Sequence, residues 1–595
     1  MVNGHAHMSF AEIQRILNRP EVKALPKVRI AVLRNIMVEP LEPYLRYCAM
    51  ESSLNADIRF GGYDLIVQEA AGASPDLLTG ETDAVLVFMR LEGLSWTLAR
   101  SFASLDAPAR ESELDRIDQL LASILTGLRQ QTNALILFCA FEQPMHPAFG
   151  ASDAQMPDGQ TATIARLNHM LRESLGRHQH AYLLDVNACL ARIGSAAFYD
   201  QRYWHIGRAP YSRGALRELA AESWKFLRAV KGKQKKCLVL DCDNTLWGGV
   251  VGEDGIAGIK LGGAYPGSAY QEFQNEIVNL YHRGVIVALC SKNNEGDVWA
   301  VFRQHSDMVL KETHIASAQI NWDDKATNLR RIAQDLNIGL DSLVFLDDNE
   351  VEIELVRRMV PEVEAVHLPK DRATDYRDIL ASLGLFDTLT VNEEDRQRGA
   401  MYKAEGSRKR LHEQAPDMGS FLASLEMVGE IRHADAMSIP RIAQLTQKTN
   451  QFNLTTRRYA DADVSALAGC SDAEVISLRL KDKFGDSGLV GVAILTYAQR
   501  SAKIDTLLLS CRVLGRMVED WFIGHLLRWA KDRGAIEVIG EYVATRKNAQ
   551  VERFYEKQGF VAMSSGQPEG SKLFRFDLAA GIPALPAHIK LVVGE

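Results

Sequence analysis

Short apolar runs punctuate the first part of the chain at 28–33, 84–89, 134–139 and 181–186. Each has the length and composition of a strand buried on both faces. Helical patterns lie between them. Over 111–129, Leu114, Ile117, Leu120, Leu121 and Ile124 recur on one face, the stripe a helix presents to a core. Strands alternating with helices predict a parallel sheet covered on both sides. A helix over 216–230 runs into Lys231, Gly232 and Lys233, and a new strand begins at 236, which places the first boundary near 231.

From there the alternation restarts. Strands are predicted at 236–240, 285–290, 342–346 and 363–368, with helices at 269–283, 297–305 and 325–336. The charged stretch 388–413 reads as a helical linker. A third unit has a helix at 438–446, strands at 474–480, 490–497 and 504–511, a helix at 517–533, a strand at 536–542 and a helix at 548–558. The predicted fold class is therefore α/β multidomain, with boundaries giving 1–230, 231–390 and 391–595.

Composition narrows the function classes. The 595 residues are 47% hydrophobic and 24% charged, ordinary for globular protein with several cores. No run approaches 18 apolar residues, so no membrane span is expected. With 68 basic and 76 acidic residues the net charge is −8, and a general nucleic-acid binder is not expected because neutralising phosphates needs a basic surface. The eight cysteines form no CxxC pair. Scattered thiols without a signal-peptide pattern suggest a reduced, cytoplasmic protein without structural zinc.

The central unit carries the clearest chemistry. Its first strand runs into Asp241-Cys242-Asp243-Asn244-Thr245. Carboxylates at i and i+2 on a strand end can share one cleft, and open α/β sheets bind ligands beyond the carboxyl ends of their strands. One acid can attack phosphorus while the other moves a proton, and together they offer hard oxygens to Mg2+. Ser291 follows the next strand, with Asn293 in the same turn. Lys325 opens a helix, and Asp347 and Asp348 end another strand. Singly each has a bland reading; the ordered set points to phosphoryl transfer.

On these residues the chain resembles the haloacid dehalogenase (HAD) superfamily of phosphotransferases. That resemblance implies Asp241 as nucleophile, Asp243 as general acid/base, Lys325 as a catalytic cation, and Thr245, Ser291 and Asn293 as substrate-binding residues. It also implies Mg2+ held by Asp241, the carbonyl of Asp243, Asp347 and Asp348. The segment DCDNTLWGGVVGEDG at 241–255 resembles the FkbH-like subfamily, as do KTNQFNLTTRRY at 448–459, FGDSGLVGV at 484–492 and SCRVLGR at 510–516. This implies an enzyme that dephosphorylates 1,3-bisphosphoglycerate and loads a glyceryl unit onto an acyl carrier protein through its phosphopantetheine arm, in polyketide or related biosynthesis. The alternative is a Mg2+-dependent phosphomonoesterase of a small metabolite, with the C-terminal unit as a lid or interaction module.

Residues after about 420 resemble the GNAT acyltransferase fold. A strand runs into Arg512-Val-Leu-Gly515-Arg516 and then a helix, whose backbone N–H groups would hold a pyrophosphate. Arg512 and Asn548 are expected to bind substrate there. Cys511, at the strand end, and Cys242 are the two alternative candidates to carry the acyl group, direct attack by pantetheine being the third route. Arg457 and Arg458 are the expected carrier-docking residues, whereas Arg408, Lys409 and Arg410 read as a solvated charge run.

The N-terminal unit is similar to SGNH hydrolases in element order. Its first strand, however, delivers Arg34-Asn35-Ile36-Met37 where a nucleophilic serine is needed, and His205 alone reads as structural. This unit is expected to be a non-catalytic scaffold or docking surface.

Overall fold

A computed structural model describes residues 8–390, 396, 401, 402, 404, 408, 411, 412, 415–563 and 571–593. The chain packs as two compact units. One is built from residues up to Lys233 with Asp387–Leu389, the other from Gln234–Phe386 with the chain from Thr390 onward.

The first unit holds a five-stranded parallel sheet. Its strands are β1 (Lys27–Arg34), β2 (Asn55–Tyr63), β3 (Ala84–Phe88), β4 (Leu135–Cys139) and β5 (Ala181–Leu184), in the order β2-β1-β3-β4-β5. Side chains alternate across β1, so its residues divide between two cores. Val28, Ile30 and Val32 pack with the helices Glu42–Glu51 and Arg213–Val230. Ala31 and Leu33 pack with Ala107–Gln131 and Gln160–Gly176.

The second unit contains two sheets. The strands β6 (Cys237–Leu240), β7 (Ile286–Ser291), β8 (Ile315–Ile320), β9 (Leu343–Asp347) and β10 (Glu364–His367) form a parallel sheet in the order β10-β9-β6-β7-β8. Two buried clusters cover its faces.

The remaining strands are β11 (Met427–His433), β12 (Phe452–Asn453), β13 (Ala473–Asp482), β14 (Gly485–Ala498), β15 (Ser501–Leu509), β16 (Glu537–Val543), β17 (Val561–Ala562), β18 (Ser571–Asp577) and β19 (Ile589–Val593). They form a mixed sheet ordered β17-β18-β16-β15-β14-β13-β11-β19, with β12 attached to β15. The parallel pair β15 and β16 is in register only from Ser501↔Glu537 to Ile504↔Gly540. Beyond that point the two strands no longer pair with each other.

One expected element differs. The helix expected over 548–558 is two short turns, Ala549–Val551 and Phe554–Lys557. The linker expected at 388–413 falls largely outside the described residues.

Candidate active site

The topology of the second sheet brings the central chemistry to one edge. β6 lies between β7 and β9, so Asp241, Ser291 and Asp347 stand side by side at the carboxyl ends of three neighbouring strands. Asp241 continues from β6, its backbone N–H bonded to the Leu346 carbonyl at 3.0 Å. Lys325 opens the helix Lys325–Asp335, capped by Asp324, and its ammonium reaches across the edge. Nζ lies 2.8 Å from Asp241 Oδ1 and 2.5 Å from Asp347 Oδ2, with all three side chains at least nine-tenths buried.

One lysine does not balance the acids. Carboxylate oxygens of Asp241, Asp347 and Asp348 lie within 4.8 Å of one another. Burial and the Asp241 charge push Asp347 above the ordinary carboxylate range, despite Lys325 beside it. The same two causes push Asp348 up to about 6. Three converging hard oxygens with unrelieved repulsion fit Mg2+, which takes carboxylate oxygens in preference to sulfur or imidazole.

Asp243 is held differently. Its Oδ1 accepts from Trp247 Nε1 at 2.8 Å and Val251 N at 3.0 Å, and its Oδ2 accepts from Asn293 Nδ2 at 2.8 Å. Burial still raises it above the ordinary range. With both side-chain oxygens engaged, Asp243 has its backbone carbonyl to offer a metal. The loop that aims it is fixed from several sides. Asn244 adopts a left-handed φ of 54° and its Oδ1 accepts from Gly249 N. Tyr376 Oη donates to the Asn244 carbonyl, and Gln274 Nε2 donates to the Leu246 carbonyl. The sequence reading missed Trp247, Gln274 and Tyr376. Trp247 lies inside the quoted 241–255 segment, and its place four residues after Asp243 was the available signal.

Several expected site residues turn out to do other work. Cys242 is wholly buried among apolar residues, and burial pushes its thiol well above its ordinary value, which disfavours the thiolate that a nucleophile needs. Thr245 is also wholly buried, and its hydroxyl has no hydrogen-bond partner among the described residues. Ser291 and Asn293 are at the strand end as expected, both nearly buried.

The C-terminal expectations change more. Asn548 has no exposure. Its Nδ2 donates to the carbonyls of Asn453 and Val543, and its Oδ1 accepts from Thr545 N at 2.8 Å. These bonds make it a clamp between the segments around 453 and 543. Arg512 is turned inward, donating from Nε to Ser510 Oγ at 3.0 Å. The helix start expected to hold pyrophosphate carries Glu519 and Asp520 in its first turn, and acids there oppose an anion.

The gap between β15 and β16 is filled by the chain itself. Phe452 and Asn453 pair with Leu509 and Leu508. Leu454 N donates to the Leu507 carbonyl, and Val543 N donates to the Leu454 carbonyl. Part of the segment 448–459 is thus seated in that gap. The expected docking arginines are also engaged. Arg457 pairs with Asp505 and with Glu541, and Arg458 donates to the Thr446 carbonyl and to Asn450 Oδ1. Arg408 pairs with Asp482 in the interior; Lys409 and Arg410 lie outside the described residues.

Cys511 does not meet the carboxylates. It lines a cavity with Lys236 and Ile286, which stand at the beginnings of β6 and β7. Asp241 stands at the other end, five residues on from Lys236, or roughly 16 Å of extended chain.

No family model matches this chain, and no curated protein does. Among solved structures, it is similar to the N-terminal part of the protein BF1531 from Bacteroides fragilis, which contains a phosphatase domain and was crystallised with Mg. The identity is 28% and the TM-score 0.58, over 64% of this chain and all of that one. Slighter likenesses reach spermidine N-acetyltransferase from Vibrio cholerae (14% identity, 26% of this chain and 96% of that one, TM-score 0.21) and the GNAT domain of S. lividans PAT (14%, 25% and 89%, TM-score 0.21). Likenesses of that size carry no argument. The multidomain α/β architecture and the likeness to a phosphatase-containing chain are the common ground of sequence, fold and comparison.

Proposed function

We propose that the second unit is a Mg2+-dependent phosphotransferase of the HAD type, acting on a small phosphorylated compound. The observation that carries this reading is the convergence of Asp241, Asp347 and Asp348 around Lys325 at the carboxyl edge of a parallel sheet. The Mg2+ in the Bacteroides fragilis structure supports it.

Asp241 attacks phosphorus, forming an aspartyl phosphate as the bond to the leaving oxygen breaks. Asp243, whose burial favours the protonated acid, gives that oxygen its proton. Water then attacks the aspartyl phosphate, and Asp243 takes the proton back. Lys325 holds Asp241 in place and offsets its charge. Mg2+ bound by Asp241, Asp347, Asp348 and the Asp243 carbonyl would neutralise charge on the phosphoryl oxygens.

The finer reading is that the compound is 1,3-bisphosphoglycerate and that the glyceryl unit passes to an acyl carrier protein. It rests on the segments 241–255, 448–459, 484–492 and 510–516. One structural observation favours a large partner. Tyr265, Trp322 and Val351 are 70–76% exposed on segments at the carboxylate end of the sheet, where a macromolecular substrate would arrive. Against covalent passage through Cys511 stands its place at the opposite sheet end, so the simpler route is attack by the carrier thiol on the acyl carbon, which forms the thioester and expels the acyl phosphate's phosphate, while Asp241 removes the phosphate held as an ester.

Phosphate release should be followed across phosphate monoesters and acyl phosphates, with intact-mass analysis of carrier proteins in parallel. Release that requires Mg2+ and Asp241 supports the phosphotransferase. Release without any carrier adduct leaves the phosphomonoesterase reading and removes the glyceryl transfer.

A further inference from the structure

The cavity beside Cys511 has a volume of about 250 Å3. It lies inside the second unit, where the amino ends of β6 and β7 and the loop before β9 face the C-terminal sheet. Among the described residues lining it, Lys236, Arg441, Lys448, Arg512 and Lys547 are cationic and Asp341 alone is anionic. Ser510 and Thr449 add hydroxyls.

The charge imbalance is felt by that one acid. Burial pushes Asp341 upward, yet the hydrogen bond from Lys547 and the charges of Lys547, Lys235 and Lys236 carry it below its ordinary value. A positive field in a confined space collects anions. Guanidinium forks beside lysines suit phosphate oxygens in particular. The volume is below the ~300–1,000 Å3 usual for cofactor-sized ligands, which favours a compound of a few carbons over a nucleotide.

We infer that this cavity is a second anion site, distinct from the carboxylate edge, that takes phosphate or a small phosphate ester. It lies at the amino end of the same sheet whose carboxyl end holds Asp241. Anion binding there is independent of phosphoryl transfer, so it stands or falls apart from the function proposed above.

Cys511 lines the cavity and reports on it. An anion beside the thiol both shields it and disfavours its thiolate, and both effects slow alkylation. Iodoacetamide labelling of the full-length protein, read peptide by peptide by mass spectrometry, would be timed with inorganic phosphate, with glycerol 2-phosphate, and with potassium chloride at matched ionic strength. At least a fivefold slowing at Cys511, with exposed Cys470 unaffected, is expected for one or both phosphate probes. Protection by both assigns a phosphate site, and protection by the ester alone assigns an ester site. The same protection must persist in Asp241→Asn with EDTA present, because that site is at the other end of the sheet. A Lys236→Gln, Lys547→Gln double variant, checked for folding by circular dichroism, should lose it. Labelling no slower in both phosphate probes than in chloride would overturn the proposal, as would protection that disappears with Asp241→Asn.

Discussion

At the carboxyl end of β1 the first unit places Arg34 and Asn35; at the carboxyl end of β6 the second places Asp241. Both strands lie inside five-stranded parallel sheets. The first edge is tied up largely by its own bonds. Arg34 donates to the Gly61 carbonyl at 2.7 Å and pairs with Glu39. Asn35 exchanges two hydrogen bonds with the Arg90 backbone, at 2.9 and 2.7 Å. Nearby, Glu142 accepts from Tyr199 and Tyr211 and pairs with Arg90. The second edge keeps three acids against one lysine. A parallel sheet supplies the place for a site, but the strand-end residues decide whether that place is closed by internal bonds or left with charge to neutralise.

The contrast is sharpest for single substitutions, and the largest effect is expected at Asp241. An amide cannot act as the nucleophile and is a poor Mg2+ ligand, so Asp241→Asn should reduce phosphate release by about 10^4-fold or more. Steady-state release by a folded variant checks this. Release within tenfold of wild type would remove the proposed role of this edge.

Next in size is Lys325→Met, which leaves Asp241 and Asp347 buried without their cation. Breaking a buried pair in this way costs about 3–5 kcal/mol. The thermal midpoint should therefore fall in EDTA, and Mg2+ should restore more of it than it adds to wild type. Equal Mg2+ increments in both proteins would mean that metal and lysine do not answer the same charge.

On the first edge, Asn35→Ala should lower stability by roughly 1–3 kcal/mol through lost buried hydrogen bonds, measured by urea denaturation. Phosphate release should be unchanged. A change in release without a change in stability would show that the first unit takes part in the chemistry.

The smallest effect concerns pH. Asp348 is pushed up to about 6 from an ordinary 3.8, first by burial and then by Asp241. The metal-free folded state therefore holds this proton more tightly than the unfolded chain. Its contribution to stability is present below the ordinary value and is lost as pH rises through about 6. Mg2+ must displace the proton, so through Asp348 its affinity should climb by about fourfold between pH 5.5 and 7. Calorimetric titration at several pH values measures this. A flat profile would place Asp348 outside the metal site.

Within both parallel sheets, the strands that went unrecognised are edge strands, β2 and β8. Each is covered on only part of its surface and mixes polar residues into the run, as in IASAQI at β8. The central strands β1, β3, β4, β6, β7 and β9 are apolar nearly throughout because both faces are buried, and they were legible. The acidic site was legible for a related reason. Asp241, Asp347 and Asp348 each follow an apolar strand directly, so strand order alone gathers them. Lys325 was legible as the opening residue of a strongly patterned helix.

The amino-acid sequence by itself determined the alternation of strands and helices, the acids at two strand ends, and the lysine that meets them. These follow from local periodicity and from the rule that parallel strands bring their carboxyl ends together. Only the tertiary structure decided the rest. Asn548 is a clamp because the Asn453 carbonyl, 95 residues away, comes to it. Phe452–Asn453 closes the gap between β15 and β16 because unpaired backbone groups of diverging strands need partners, and this segment supplies them. Cys511 stands at the opposite end of the sheet from Asp241 because the C-terminal sheet packs against the amino ends of β6 and β7. Such placements depend on contacts between residues far apart in the chain, which no local pattern records.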